Sequence, residues 1–213
     1  MDQMDQVSRI PPSAELQEQF GAIDIYLFDQ LLKGTFDERP RILDVGCGGG
    51  RNLPYFLKHG FEVFAIDSDP AAVSATRSVL ARLAPALSPD HVQLGDIDAL
   101  PWPDGRMDAV LCSAVLHFAR DEGHFNRMIA DMWRVLAPGG SFFARLATSI
   151  GLEHVLPSRS GWMRLPDQSE RFVASEEMIL NWTARLNAIQ AEPLKTTIVQ
   201  GQRAMTTWCL VKK

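Results

Sequence analysis

Apolar residues along this chain follow two spacings, one typical of helices and one typical of buried strands. From residue 14 to residue 34 they recur every three or four positions, which predicts one N-terminal helix that ends at Gly34. The apolar positions of this predicted helix are Leu16, Phe20, Ile23, Leu27 and Leu31.

After residue 40, short apolar runs bounded by Gly, Pro or Asp alternate with segments of helical spacing, so strands and helices are expected in turn. The predicted strands are 42–45, 61–66, 91–94, 107–112 and 141–147, and the predicted helices are 52–59, 70–84, 122–136 and 175–190. Two strand-like runs, 194–199 and 204–211, then close the chain as a hairpin through Gly201. This order predicts an α/β protein with five parallel strands followed by an antiparallel pair.

The length of the chain, 213 residues of which 46% are hydrophobic, suits one substantial core and therefore one domain over residues 1–213. Residues 1–13 are polar and contain Pro11-Pro12, which predicts a flexible arm. Residues 149–174 show no clear period, and a loop of this length in a compact domain is typically a functional lid or a disordered segment.

The first strand runs into a glycine-rich turn, Gly46-Cys47-Gly48-Gly49-Gly50. Glycine lets the backbone turn sharply and leaves no Cβ between the backbone and a ligand, so main-chain N–H groups can face a polar guest. A turn of this kind between a strand and a helix predicts a cofactor site.

The residues around the turn narrow the choice of cofactor. A phosphate-binding P-loop ends in Gly-Lys-Ser/Thr, whereas Arg51-Asn52 follow the turn in this chain. A dinucleotide fingerprint is weakened, because its third glycine position is occupied by Arg51. Asp44 places a carboxylate two residues before the first glycine, which favours a cationic cofactor over a pyrophosphate.

Four segments, in order and spacing, resemble the class I S-adenosylmethionine-dependent methyltransferases, and the resemblance is to the type 11 members. They lie at 42–50 (ILDVGCGGG), 63–67 (VFAID), 94–101 (LGDIDALP) and 133–140 (WRVLAPGG). The resemblance implies an enzyme that uses S-adenosyl-L-methionine, on a Rossmann-like three-layer sandwich whose seven-stranded, mostly parallel sheet ends in an antiparallel hairpin. A shorter similarity to the tellurite-resistance branch, which includes Gly50-Arg51-Asn52, is too short to indicate a substrate.

The resemblance also places the cofactor at the ends of the first four strands. Asp67 would accept hydrogen bonds from the ribose hydroxyls, as an acid at this strand end does in dinucleotide folds. Asp96 would bond the adenine amino group, Ile97 would touch the ring, and Ser113 would lie near the methyl-donor end. The full predicted cofactor-binding set is Asp44, Gly46, Cys47, Gly48, Asp67, Ser68, Asp96, Ile97 and Ser113.

Methyl transfer from a sulfonium needs little help from side chains, because proximity and orientation can supply about 7 to 11 kcal/mol of the barrier. For an acceptor that must lose a proton, His117 and His154 are the candidate bases, since imidazole titrates near neutrality. A structural role for His117 is the alternative.

The segment 149–174 carries aromatic and arginine side chains, among them Arg159, Trp162 and Arg164, which predict contacts to an anionic or aromatic acceptor. Acidic residues in the same segment balance its arginines, so a plain surface loop is the alternative.

Composition narrows the partners and the compartment. The formal charge of −5 provides no basic field for nucleic acid. The cysteines Cys47, Cys112 and Cys209 are far apart, which predicts reduced thiols and no metal. The N-terminus is polar and acidic and no long apolar run occurs, so we expect a cytoplasmic protein without membrane or nucleic-acid partners, a monomer or homodimer that acts on a small molecule.

Residues 112–117 lack the Asn/Asp-Pro-Pro-Tyr/Phe stretch of the amino and amide nitrogen methyltransferases, which disfavours adenine-N6 and glutamine acceptors. Two other classes stay open. An NAD-dependent oxidoreductase would share the sheet and Asp67 but would give no reason for Asp44. A non-catalytic S-adenosylmethionine-binding protein would carry the same cofactor motifs.

Overall fold

The predicted strands assemble into one central sheet in a computed structural model that describes residues 13–157 and 159–213. The strands are β1 (Arg41–Val45), β2 (Glu62–Asp67), β3 (Val92–Leu94), β4 (Met107–Ser113), β5 (Leu136–Thr148), β6 (Gly161–Arg164), β7 (Glu170–Val173), β8 (Ile189–Gln190), β9 (Lys195–Val199) and β10 (Arg203–Val211). The helices are α1 (Ser13–Phe20), α2 (Ile25–Leu32), α3 (Pro54–Lys58), α4 (Pro70–Leu83), α5 (Glu122–Val135) and α6 (Glu176–Arg185).

The sheet order is β3-β2-β1-β4-β5-β10-β8, and β9 pairs with β10 on the same side as β8. β8 and β9 therefore share the seventh position. The first five strands are parallel, whereas β10 runs antiparallel to β5. The predicted mostly parallel sheet with its C-terminal antiparallel hairpin is confirmed, and the two-residue β8 is an addition to it.

Side chains of the central strands alternate between two cores, which makes the fold three-layered. On β1, Ile42 packs with the core that contains α2, α3 and α4, while Leu43 and Val45 face the core that contains α5 and α6. β2 repeats this pattern, with Val63 on the first side and Phe64 on the second. Because helices cover both faces of the sheet, the sequences of these parallel strands are continuous apolar runs.

The single helix predicted over residues 14–34 is wrong, because the segment forms α1 and α2 with a break between them. Gly21 adopts a left-handed φ of +68°, which helix geometry does not allow. Asp24 then caps α2 by accepting a hydrogen bond from the backbone N–H of Tyr26 at 2.9 Å. The apolar spacing continues across the break, so periodicity alone did not reveal it.

Regular structure was also missed near the C-terminus. Residues 149–174 contain the antiparallel hairpin of β6 and β7, although the sequence showed no period there. The last predicted helix ends at Arg185 instead of residue 190, because Asn187 turns the chain with a φ of +49° before β8. β5 begins at Leu136, so Pro138-Gly139-Gly140 lies within the strand.

The predicted flexible arm, residues 1–13, lies outside the described residues except for Ser13. Among the helices of residues 13–157 and 159–213, none combines the length and the apolar character that a membrane crossing needs.

Candidate cofactor and substrate site

The glycine turn after β1 is held against the end of β2 by backbone hydrogen bonds. Gly46 and Cys47 both donate their N–H groups to the carbonyl of Ile66, at 2.8 and 3.1 Å. Gly46 and Gly48 have φ of +67° and +53°, a region that other residues rarely adopt. A Cβ built on Gly48 would meet nothing within 4 Å, so the backbone there faces open space.

Asp67, the last residue of β2, is tied to this turn. One carboxylate oxygen accepts the N–H of Gly48 at 2.8 Å, and the other accepts the N–H of Asp69 at 3.0 Å. These bonds fix the carboxylate plane, and each oxygen keeps a lone pair for a further donor. Asp69 in turn caps α4 through the N–H of Ala71.

Asp44 lies under the turn and is 1% exposed. Its Oδ2 is buried and has no hydrogen-bond partner in the part of the chain that the structure describes. Burial raises the pKa of Asp44 to about 7, the Arg51 guanidinium opposes the shift, and the Asp67 carboxylate adds to it. A buried acceptor of this kind, beside a second carboxylate, favours a cationic guest.

These elements surround a cavity of about 410 Å³ at the carboxyl ends of the parallel strands, where ligands of open α/β sheets bind. Six residues of the predicted cofactor set line it: Gly46, Gly48, Asp67, Ser68, Asp96 and Ile97. The structure thus brings together three segments that are separate in the sequence, although the role of each residue stays a prediction.

Cys47 and Ser113, also in the predicted set, direct their side chains elsewhere. The Cys47 thiol is buried 3.5 Å from the Thr76 hydroxyl, and burial raises its pKa to about 12. The Ser113 hydroxyl donates to the buried carboxylate of Asp24 at 2.8 Å. Neither residue is among those that line the cavity, and cofactor roles for both stay predictions.

Asp24 is the centre of a polar cluster that sequence reasoning missed. Its Oδ2 lies 3.3 Å from Arg145 and 3.7 Å from Arg51, and Arg51 also donates to Ser113 at 3.1 Å. The cluster joins α2, the glycine turn, β4 and β5. An acid immediately before an apolar helical run was a signal for a helix cap, and the assumption of one long helix hid it.

Other cavity-lining residues were also missed, namely Ala114, Val115, Phe118, Arg120, His124 and Met128. Ala114 has a left-handed φ of +64°, an unusual conformation for a residue with a side chain, and such strain clusters at functional sites. His124 and Met128 are one helical turn apart on the buried face of α5, so their shared face was visible in the spacing.

His117 lies on the wall of a second, smaller cavity of about 290 Å³. The side chain is buried, and burial together with Arg171 and Arg145 lowers its pKa to about 4. Its imidazole is therefore neutral at pH 7. His154 is exposed in the turn after Leu152 and lines neither of these two cavities.

The predicted substrate residues are not gathered in one place. Arg159 lies beside an open polar groove next to α6. Trp162 and Arg164 are exposed on β6 and line neither cavity. The arginine of this segment that does reach the smaller cavity is Arg171, on β7. Substrate contacts by Arg159, Trp162 and Arg164 stay a prediction.

Comparisons with known proteins agree with this geometry. Residues 43–144 match the family described as Methyltransferase domain. A malonyl-[acyl-carrier protein] O-methyltransferase from Serratia marcescens is 32% identical over 107 residues, which are 50% of this chain and 38% of that protein. A protein of the same name from Pseudescherichia vulneris is 28% identical over 180 residues, 83% of this chain and 66% of its own. The crystal structure of a SAM-dependent methyltransferase from Methanosarcina mazei aligns with a TM-score of 0.66 at 18% identity, covering 85% of this chain and 96% of the other.

The sheet order and the glycine-turn cavity at its carboxyl edge define an α/β protein of the nucleotide-cofactor type. The family match, the curated relatives and the solved structures together support a class I S-adenosylmethionine-dependent methyltransferase. The predictions of family, fold and S-adenosyl-L-methionine as cofactor are confirmed. The similarity to the tellurite-resistance branch stays a prediction, and the chain spans between 38% and 66% of the length of the first curated relatives it matches.

Proposed function

We propose that this chain transfers a methyl group from S-adenosylmethionine to a small-molecule acceptor, by in-line displacement at the cavity beside Gly48. The observation that carries the proposal is Asp44, two residues before the cavity-lining Gly46, whose buried Oδ2 has no partner among the described residues. An unpartnered buried carboxylate is costly unless a ligand satisfies it. A sulfonium cofactor with an ammonium group adds positive charge to that of Arg51, which already acts on this carboxyl.

The described residues fit the other parts of this cofactor as well. The open space in front of Gly48 leaves room for the ligand to approach the backbone. Asp67 faces the same cavity with a carboxylate already held by two backbone N–H groups, so it can receive ribose hydroxyls without rearranging. Asp96 and Ile97 provide an acceptor and an apolar surface for the adenine.

When bound, the cofactor supplies a methyl group on an already good leaving group. The contribution of the chain is then to position the two reactants and to exclude water. His117 carries a neutral imidazole at pH 7, and a pKa of about 4 makes it a weak base. We therefore assign His117 to orienting the acceptor by hydrogen bonding in preference to removing a proton.

Several finer properties belong to this proposal. The small cavity beside His117 supports a small acceptor, and the net charge of −5 disfavours nucleic acid. Cys47, Cys112 and Cys209 are all buried and unpaired, which agrees with the cytoplasmic location expected from the sequence. The curated relatives act, by name, on a malonyl group carried by a protein, so carrier-bound acyl groups belong in the acceptor screen.

The direct test is an acceptor screen that follows release of S-adenosylhomocysteine. Release that requires both the acceptor and an intact Asp67 supports the proposal. Tight cofactor binding with no release across small acids, alcohols, amines and thiols, and with carrier-bound acyl groups, would identify a non-catalytic binding protein.

Replacing Asp67 by alanine is expected to weaken S-adenosylmethionine binding by about 1.5 to 3 kcal/mol for each charge-assisted bond that is lost. The reason is that its carboxylate both receives the ribose and holds the Gly48 N–H. Calorimetric titration of Asp67→Ala measures this loss.

Asp69→Ala is the matched control. Asp69 is exposed two residues away and caps α4, so its loss should cost about 1 kcal/mol of stability and leave cofactor affinity unchanged. If wild type and Asp67→Ala bind S-adenosylmethionine with equal affinity, Asp67 does not contact the cofactor.

We also propose that residues 149–174 act as a lid over the acceptor. Both ends are joined to the sheet, since Ser149 donates to the carbonyl of Ala174 and Ala174 to that of Ala147. Phe172 of β7 is buried and stacks on Phe125, whereas β6 alternates between exposed and half-buried residues. β7 is therefore the more buried strand of this hairpin, and β6 is the more exposed one.

Hydrogen exchange across β6 is expected to slow only when both S-adenosylhomocysteine and an acceptor are bound, because closure needs a filled site. The amides of β1, buried in the sheet, serve as the internal reference. The same exchange rate in β6 in every liganded state would reduce the segment to a surface loop.

A further inference from the structure

Three arginines converge on the smaller cavity. Arg145 reaches it from β5, Arg171 from β7 and Arg203 from the start of β10. The remaining lining residues are polar or apolar, and none of the residues that form this cavity is acidic: His117, Ala147, Leu165, Ser169, Thr197, Val199, Ala204 and Met205. The cavity wall therefore carries three formal positive charges.

Neighbouring acids offset only part of this charge. Asp24 lies 3.3 Å from Arg145, and Asp167 lies 3.7 Å from Arg203. Within residues 13–157 and 159–213, Arg171 forms no ion pair with a carboxylate. It donates to the carbonyl of Glu170 at 2.7 Å, and its guanidinium carbon lies 5.2 Å from the ring centroid of Phe118.

Two buried nitrogens of cavity-lining residues also have no hydrogen-bond partner among residues 13–157 and 159–213. His117 is 6% exposed, and its Nδ1 makes no hydrogen bond. The Nε of Arg145 is likewise buried and unpaired. Buried polar groups are normally satisfied, so two unsatisfied nitrogens on residues that line one cavity favour a polar ligand at this wall. The lowered pKa of His117, to which Arg171 and Arg145 contribute, agrees with a positive local potential.

The cavity adjoins the proposed methyl-transfer site. Phe118 lines the cofactor cavity, and the preceding residue, His117, lines the arginine cavity. Arg171, which also lines the arginine cavity, lies over the Phe118 ring. A molecule that reaches from one cavity to the other would have its reacting atom near the cofactor and its far end among the arginines.

We propose that the arginine cavity binds the acidic group of the methyl acceptor, a carboxylate or a phosphate, with Arg171 as the principal partner and Arg145, Arg203 and His117 around it. This assignment rests on the proposed function only in attributing the acidic group to the acceptor. Guanidinium groups match the planar, two-oxygen geometry of carboxylate and phosphate, which explains the choice of arginine over lysine at all three positions.

The test is a binding titration with succinate, inorganic phosphate and succinamide, the neutral isostere of succinate, performed with and without S-adenosylhomocysteine. The imidazole resonances of His117 report on the cavity. We expect saturable shifts with succinate or phosphate and none with succinamide, and the stronger of the two anions identifies the acidic group.

Arg171→Gln is expected to raise the Kd of the preferred anion about tenfold or more, since a charge-assisted pair is lost, and Arg171→Lys should fall between it and wild type. Arg82→Gln is the matched control, because Arg82 is exposed in the last turn of α4 and lies outside the cavity. Equal binding of succinate and succinamide, or an Arg171→Gln variant with unchanged Kd, would overturn the proposal.

The design separates this proposal from the methyltransferase function. Cofactor binding without anion binding refutes the acidic acceptor and leaves methyl transfer standing. Anion binding without cofactor binding supports the cavity and refutes the proposed function.

Discussion

The affinity for S-adenosylmethionine is expected to rise about tenfold per pH unit as pH approaches 7 from below, and to level off above about pH 8. Burial raises the pKa of Asp44 to about 7, so in the free protein this carboxyl is mostly protonated at pH 6. A cationic ligand binds the carboxylate form and lowers its pKa. Binding below pH 7 must therefore release a proton, and that release costs about 1.4 kcal/mol for each unit of pH.

The Asp44→Asn variant assigns this dependence to Asp44. His117, with a pKa of about 4, titrates below the pH range of the test. His124 lines the cavity and would give the same sign when protonated, but burial lowers its pKa from the usual value. Asp44→Asn keeps the size of the side chain and removes the titration, so its affinity should be lower at pH 8 and flat with pH. Calorimetry between pH 5.5 and 8.5, in buffers of different ionisation enthalpy, measures both affinity and proton release. A flat wild-type profile, or the same slope in Asp44→Asn, would contradict the role of Asp44.

Replacing Gly48 by valine is expected to abolish cofactor binding, with a loss beyond about 100-fold. The Cβ position of Gly48 points into open space at the cavity wall, so a branched side chain would occupy the volume that the ligand needs. Its φ of +53° adds strain for any residue that has a Cβ. Thermal unfolding and cofactor titration on the same sample separate loss of fold from loss of site.

Gly49→Ala is the control for that substitution. Gly49 is the next residue, it is exposed, its φ lies outside the left-handed region, and a Cβ there would meet nothing within 4 Å. It should bind like wild type. Gly46 is a poor test, because an added Cβ would lie 2.5 Å from Val115 and would disturb the fold itself. Normal binding by Gly48→Val would mean that the turn only connects two elements.

The parallel part of the fold was predictable because both faces of its strands are buried. Continuous apolar runs such as 63–66 predict buried strands, and this run is followed by the carboxylate of Asp67. The glycine-rich turn after β1 predicts a cofactor site. The cofactor motifs are local in sequence, so Gly46, Gly48 and Asp67 were found together.

What was missed depends on contacts between distant segments. The break at Gly21 preserves the apolar spacing of α1 and α2, and only the cap at Asp24 distinguishes two helices from one. The arginine cavity joins β5, β7 and β10, and no local pattern links Arg145, Arg171 and Arg203. Arg171 lies in the predicted loop 149–174, but no local feature distinguishes it from Arg159 and Arg164, which do not line this cavity.

The most direct measurement is a calorimetric titration of the intact chain with S-adenosylmethionine and, in parallel, with NAD⁺. The expected result is saturable one-to-one binding of S-adenosylmethionine, weakened in Asp67→Ala and unchanged in Asp69→Ala, with no binding of NAD⁺ at the same concentrations. Saturable binding of NAD⁺ without binding of S-adenosylmethionine would contradict the assignment of this cavity.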